Sequence, residues 1–84
     1  MKFYLAHAVT HDGEYEYGEH FTLMAANEHE AAETAKRYLV NVYADPDEDA
    51  FDEEDQLDLF DRIVVFDEVR EISCGAYLVL REYL

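Results

Sequence analysis

The residues of this chain that could carry chemistry are four histidines, one cysteine and many carboxylates. His7 and His11 are four residues apart in a strand-like segment, so they would share a face, and His20 could lie across from them. A functional metal site needs three or four convergent ligands, and the sequence contains no CxxC or HExxH spacing. Cys74, followed by a glycine, is more typical of a small buried side chain than of a nucleophile. We therefore expect neither a metal site nor a catalytic site among these residues.

A second candidate is a calcium site in the acidic stretch that begins at residue 45. Asp45, Asp47 and Asp49 match the first, third and fifth ligand positions of an EF-hand loop. The sixth position is Ala50, where that loop needs a glycine, and the twelfth is Gln56, where it needs a bidentate glutamate. We expect weak binding of divalent cations, as for any carboxylate cluster, but no specific calcium site and no cofactor.

The carboxylates are concentrated in residues 45–61, which hold ten Asp and Glu and no Lys or Arg. This is one charge about every 6 Å in an extended chain and about every 3 Å in a helix. One DNA strand carries a phosphate about every 3.4 Å of axis, so a partly helical segment would approach that charge density. Such a segment could occupy a Lys/Arg groove of a nucleic-acid-binding protein, and salt would weaken the contact. The predicted contact set is Asp45, Asp47, Glu48, Asp49, Asp52, Glu53, Glu54, Asp55 and Asp58, supported by the aromatic side chains of Tyr15 and Tyr17.

The overall composition argues against several classes of protein. The chain has 84 residues and a net charge of −15, with 6 Lys and Arg, so it lacks a basic face for nucleic acid or an anionic membrane. No Ser-His-Asp arrangement, phosphate-binding glycine loop or nucleotide fingerprint is present, so we do not expect an enzyme. Half of the residues are hydrophobic, which predicts one folded domain over residues 1–84. A lone cysteine and the absence of a long apolar run favour a cytoplasmic protein.

The elements that must position these residues begin with a predicted β-hairpin. Two strand-like segments flank the turn dipeptide Asp12-Gly13, and the first is apolar on both faces, as in a central strand. A bulge at or near Gly18 would place Leu5 opposite Phe21 and join the apolar faces of the two strands. The alternative is that Asp12 to Glu19 form a longer flap. The predicted strands cover residues 2–11 and 14–25.

The second half of the chain predicts one long helix and a closing pair of strands. Asn27 is a candidate N-cap for a helix over residues 28–43, which the dipeptide Asp45-Pro46 would end. We further predict a short helix around residues 50–56 and strands at residues 62–69 and 76–83. The predicted fold class is therefore α+β, with a four-stranded, mainly antiparallel sheet in ββαββ order and one main helix on one face. An exposed sheet edge could form a homodimer.

In size, charge and layout the chain resembles small acidic inhibitors of bacterial defence encoded by phages and mobile elements. These include anti-CRISPR proteins and DNA-mimic anti-restriction proteins. The resemblance rests on an opening hairpin, on FTLMAANEHEAAETAKRYL as a strand running into an alanine-rich helix, and on a closing strand pair. It covers most of the chain, concerns architecture alone, and assigns no individual residue. It implies a protein partner, namely the DNA-binding surface of a CRISPR surveillance complex or a nuclease.

Taken together, these features lead to a functional hypothesis. We expect a non-enzymatic inhibitor that presents an acidic patch to a basic, nucleic-acid-binding protein and does not bind nucleic acid itself. One alternative is an immunity-type antidote of a nuclease toxin, which would use the same acidic surface. Another is an acidic domain of the kind found in halophiles, with weak binding of divalent cations.

Overall fold

Residues 1–83 form one four-stranded antiparallel sheet and two helices. The computed structural model describes residues 1–83; Leu84, the end of the predicted domain, lies outside the described residues. The strands are β1 (Lys2–Asp12), β2 (Tyr15–Ala25), β3 (Gln56–Asp58) and β4 (Ile63–Ile72), and the helices are α1 (Glu28–Tyr43) and α2 (Cys74–Tyr83). The sheet order is β2-β1-β4-β3, so β2 and β3 are its edges. The predicted α+β class, with a four-stranded sheet in ββαββ order, is confirmed.

The β1–β2 hairpin has a different turn and register from those predicted. Asp12 pairs with Tyr15, so the turn residues are Gly13 and Glu14. Gly13 has φ +62°, as the first central position of a type II′ turn requires. The register is regular throughout and places Leu5 opposite Thr22, so the predicted bulge near Gly18 and the pairing of Leu5 with Phe21 are wrong. Moving the turn by one residue aligns the two strands without any bulge.

A bulge does occur, but in the pairing of β1 with β4. His7 pairs with Glu68 and the next residue, Ala8, pairs with Phe66, so Asp67 is the extra residue on β4. Asp67 is exposed, and its Oδ2 lies 2.7 Å from Nδ1 of His7. The bulge therefore directs a carboxylate towards the histidine of the neighbouring strand.

Helix α1 covers one face of the sheet. Oδ1 of Asn27 accepts a hydrogen bond from the backbone N–H of Glu30 at 2.9 Å, which confirms the predicted N-cap. Tyr38 and Val42 remain 45% and 53% exposed, so they lie outside the buried side of the helix. The buried helix residues are Ala31, Ala35 and Leu39.

The core under α1 is thin. Half of its buried hydrophobic side chains are alanines, and the largest fully buried ones are Leu39, Leu57 and Val64. These three pack with Ala8 in one cluster. One of them, Leu57, comes from β3 in the middle of the acidic residues, so the acidic stretch contributes directly to the core.

The predicted last strand, residues 76–83, is wrong because this segment forms helix α2. Oγ of Ser73 accepts a hydrogen bond from the backbone N–H of Ala76 at 3.1 Å, as an N-cap does. The fourth strand of the sheet is instead β3, which pairs with Ile63, Val64 and Val65 at the start of β4. The ring of Tyr77 instead packs at 4.7 Å from that of Phe3 on β1.

Neither of the helices within residues 1–83 combines the length and the apolar character needed to cross a bilayer.

Candidate acidic binding surface

The acidic segment, residues 45–61, lies along one flank of α1. Its first part and the helix line a shallow cleft of about 370 Å³, to which α1 contributes Lys36 and Val40. Phe51 packs against the core cluster that contains Leu57, and Leu57 itself is 1% exposed. Two apolar side chains therefore anchor an otherwise charged segment to the fold.

The predicted short helix over residues 50–56 is wrong, because this part of the segment forms a turn that leads into β3. Oδ1 of Asp52 accepts hydrogen bonds from the backbone N–H groups of Glu54 and Gln56, at 2.8 and 3.0 Å. Aspartate side chains that bond the backbone in this way compete with helix formation. The charge spacing of a helix therefore does not arise, and the turn determines where the carboxylates lie.

Two of the three aspartates that mimic a calcium loop use their carboxylates to shape the backbone. Oδ1 of Asp45 accepts a hydrogen bond from the backbone N–H of Asp47 at 3.0 Å. Oδ2 of Asp49 accepts one from the backbone N–H of Asp45 at 3.1 Å. Within residues 1–83 no three His, Cys, Asp or Glu side chains are grouped as a metal site requires.

Two carboxylates of the segment are paired with cations. Oδ1 of Asp55 lies 2.6 Å from Nζ of Lys36 on α1, and Asp55 has φ +59°, a conformation that aspartate tolerates better than most residues. Asp61 lies 3.0 Å from the guanidinium of Arg62. The hydrogen bond from Arg62 lowers the pKa of the Asp61 carboxyl. Both pairs lie in the second half of the segment.

The other eight carboxylates of the segment form no ion pair with a Lys or Arg of the described part of the chain. Seven of them are exposed, and Asp49 is half-buried. They are Asp45, Asp47, Glu48, Asp49, Asp52, Glu53, Glu54 and Asp58. The segment is thus an ordered surface on which most of the negative charge lacks an internal counter-charge.

The two predicted aromatic anchors lie elsewhere. Tyr15 and Tyr17 are 68% and 55% exposed, and their rings stack with centroids 6.3 Å apart. They belong to β2, whereas Asp58 belongs to β3 on the opposite edge of the sheet, about 14 Å away for three strand spacings. The turn at Gly13 approaches the segment, because it lines a cleft together with residues 58–63. The structure therefore groups the carboxylates with one another and separates the tyrosine pair from most of them.

Two features of the structure near the acidic segment were not predicted from the sequence. Phe60 is fully exposed beside the carboxylates, and the only available signal was an apolar residue within an acidic run. The hydroxyl of Tyr43, near the end of α1, donates a hydrogen bond to Oε1 of Glu19 on β2 at 2.5 Å. This hydrogen bond, followed by burial, raises the pKa of Tyr43 to about 12. The pairing is long-range, and no local pattern indicates it.

The other candidate residues do not converge on a reactive centre. The rings of His7 and His20 stack with centroids 4.3 Å apart, as the predicted cross-strand position of His20 allows. His11 lies farther along the strand, with Nδ1 3.8 Å from Oε2 of Glu16. Cys74 is exposed at the start of α2, so the expectation of a buried cysteine is wrong. No protein-family model, curated protein or solved structure matches this chain, so the assignment of its function depends on the surface described above.

Proposed function

We propose that the protein is a non-enzymatic inhibitor that binds a basic, nucleic-acid-binding surface of a CRISPR effector or a nuclease and blocks nucleic acid there. Its contact surface comprises the carboxylates of residues 45–58. One observation carries the proposal: eight carboxylates of the acidic segment have no Lys or Arg partner among the described residues, although the segment is ordered.

The order of the segment supports binding rather than mere solvation. A flexible acidic tail would lose conformational entropy when it met a basic groove, and this loss would reduce its affinity. Here Leu57 is buried in the core and Asp52 accepts two backbone hydrogen bonds, so the segment loses much of its conformational entropy when the protein folds and not when it binds. The dense negative field also accelerates encounter with a cationic surface, most strongly at low salt.

Apolar contact in such a complex comes first from Phe60. Its side chain is fully exposed next to the carboxylates, as an aromatic anchor must be before it enters a partner's pocket. Tyr15 and Tyr17, on the other edge of the sheet, contribute only to a partner that extends around the hairpin end. Their supporting role stays a prediction.

The test compares two variants that carry the same chemical change and the same change in net charge. The segment variant combines Glu48→Gln, Glu53→Gln and Glu54→Gln. The control combines Glu14→Gln, Glu28→Gln and Glu82→Gln. Within the described residues none of these six side chains forms a hydrogen bond or an ion pair, so both variants should fold normally.

The assay measures displacement of a labelled DNA duplex from purified CRISPR surveillance complexes and nucleases. The wild-type protein should displace the duplex from at least one of them, less effectively as salt is raised. The segment variant should lose about tenfold in affinity, because each exposed pair contributes at most about 1 kcal/mol, and the control should lose much less. Equal losses in both variants would show that net charge, not this surface, controls binding.

The antidote alternative uses the same carboxylates and differs in the partner. An antidote should displace DNA from one cognate nuclease toxin and from no surveillance complex. The nuclease arm of the same panel therefore separates the two functions.

A further inference from the structure

The outer edge of β2 is a long strand edge without a partner. β2 has 11 residues, and among residues 1–83 its only neighbour in the sheet is β1. Because Asp12 and Tyr15 flank a two-residue turn, the odd-numbered residues of β2 exchange backbone hydrogen bonds with β1. The N–H and C=O groups of the even-numbered residues therefore point outward, and none of them is used in the other backbone hydrogen bonds of residues 1–83. An unprotected edge of this kind is a template for another strand.

A groove of about 290 Å³ follows this edge. Its lining includes Phe21, Thr22 and Leu23, which are consecutive residues of β2. Consecutive strand residues point to opposite faces, so a single groove reaches all three only at the free edge of the strand. Tyr38 of α1 and Arg81 of α2 form the two sides of the groove. The space next to β2 therefore has side walls from both helices and could hold an extended chain.

We propose that this position is filled by β2 of a second copy of the chain, in an antiparallel, two-fold symmetric pairing. A two-fold axis perpendicular to the sheet keeps the same face of both copies on the same side. It also places even-numbered residues opposite even-numbered residues, so the outward N–H and C=O groups of both copies meet. Centred on His20, the paired region extends from Glu16 to Met24 and forms about ten backbone hydrogen bonds.

The side chains in this register complement one another. Tyr17, which is 55% exposed, lies opposite the partner's Leu23 and so covers the groove of the other copy. Glu19 lies opposite the partner's Phe21 and Glu16 opposite the partner's Met24. No carboxylate is therefore directly opposite another carboxylate, and the two Glu19 side chains are diagonal neighbours across the axis.

The position of Arg81 also supports this antiparallel pairing. In residues 1–83 no carboxylate lies within ion-pair distance of Arg81, which stacks on the ring of Tyr77 instead. Thr22, beside Arg81 in the groove, faces the partner's Gly18, and the partner's Glu16 is the diagonal neighbour of Thr22. Pairing thus brings a counter-charge within reach of Arg81 in both copies.

This interface is distinct from the acidic surface. Thr34 and Tyr38, which line the groove at β2, lie on the side of α1 opposite to Lys36 and Val40, which line the cleft with the acidic segment. One copy can therefore use both surfaces. The salt dependences also differ: each copy carries a net charge of −15, so added salt screens repulsion and strengthens the dimer, but weakens binding to a basic partner.

The first experiment is sedimentation equilibrium of the full chain over a range of concentrations, at low and at high salt. We expect a monomer–dimer equilibrium that shifts towards dimer as salt rises. His20→Lys places two like charges opposite each other at the axis, and should weaken the dimer about tenfold or more relative to His29→Lys on the exposed side of α1. Thr22→Pro removes one outward N–H from each copy and should have a similar effect.

A cross-linking experiment tests the register independently of stability. In a Cys74→Ser background, His20→Cys should form a disulfide between copies, since Cα atoms of a directly opposed pair are about 5.5 Å apart. His29→Cys in the same background is the matched control and should remain reduced at the same protein concentration. A chain that stays monomeric at every concentration and salt overturns the proposal. So does a dimer that neither His20→Lys nor Thr22→Pro weakens, because another surface would then form it.

Discussion

Replacement of Leu57 by alanine tests whether the acidic segment is an integral part of the fold. Leu57 is 1% exposed and packs with Leu39 and Val64 in the main core cluster. It lies in β3, which has three residues and, within the described part of the chain, pairs only with β4. Its removal should therefore weaken both the core and the attachment of the segment.

The size of the effect follows from burial. Fully buried Leu→Ala substitutions cost about 2–5 kcal/mol, and the cost is smaller where neighbours can fill the cavity. Phe51 and Leu59 are half-buried against the same cluster and can move partly into the space, so we expect about 3 kcal/mol. A domain of 84 residues has a total stability of about 4–13 kcal/mol, so one substitution removes a large fraction of it.

Urea denaturation followed by circular dichroism measures this loss. With an m-value of about 1.5 kcal/mol/M for a small domain, the midpoint should fall by about 2 M. Phe60→Ala is the control in the same segment: Phe60 is fully exposed, so its removal should change the midpoint very little. Limited proteolysis should also cleave the Leu57→Ala protein first within residues 45–61. If the two variants had equal midpoints, the acidic segment would not be anchored through the core as described.

Three further predictions concern single contacts. The folded-state pKa of Tyr43 is raised from 10.0 to about 12, so the contribution of Tyr43 to stability is complete below about pH 10 and is lost as the pH rises towards 12. Denaturation of Tyr43→Phe between these pH values should lack this loss of stability. If the variant lost as much stability as the wild-type protein over this range, the prediction would be contradicted. Gly13→Ala places a β-carbon at φ +62° and should lower the free energy of unfolding, measured by urea denaturation, by about 1 kcal/mol. Gly13→Asn should lower it less, because asparagine tolerates positive φ better than alanine. Equal losses would show that the backbone conformation is not the cause. Lys36→Met keeps most of the length of the side chain but removes the ion pair with Asp55 and the cation–π contact with Phe66, and should cost at most about 1 kcal/mol in the same assay, with a smaller loss at high salt. A salt-independent loss would show that the ion pair is not its source.

Local sequence signals were sufficient for the opening hairpin and for α1. A glycine that can adopt positive φ, between two segments rich in β-branched and aromatic residues, predicts a hairpin without reference to the rest of the chain. Asn27 before an alanine-rich helix predicts the start of α1, and its side chain does cap the helix. The concentration of carboxylates in residues 45–61 is likewise a property of the sequence alone.

Register and strand partners were decided by tertiary contacts. Asp12-Gly13 and Gly13-Glu14 are both acceptable turns, and their registers differ by two residues, which keeps the same face of each strand towards the core. The structure selects the turn that pairs Phe21 with Ala6 and Leu23 with Tyr4 on the buried face of β1. Packing of these side chains outweighs the small preference for one turn dipeptide.

The last ten residues of the chain show the same limit most clearly. Their composition suits a buried strand, but residues 74–83 form helix α2, which packs Tyr77 against Phe3 of β1, and β3 is the strand that pairs with β4. The sequence by itself determined how much negative charge the protein carries and where along the chain it lies. The tertiary structure decided that the buried side chain of Leu57 holds the acidic segment against the fold and that β2 keeps an open edge. Pairing of distant segments depends on competition for edges and core volume, and no local window of sequence contains that competition.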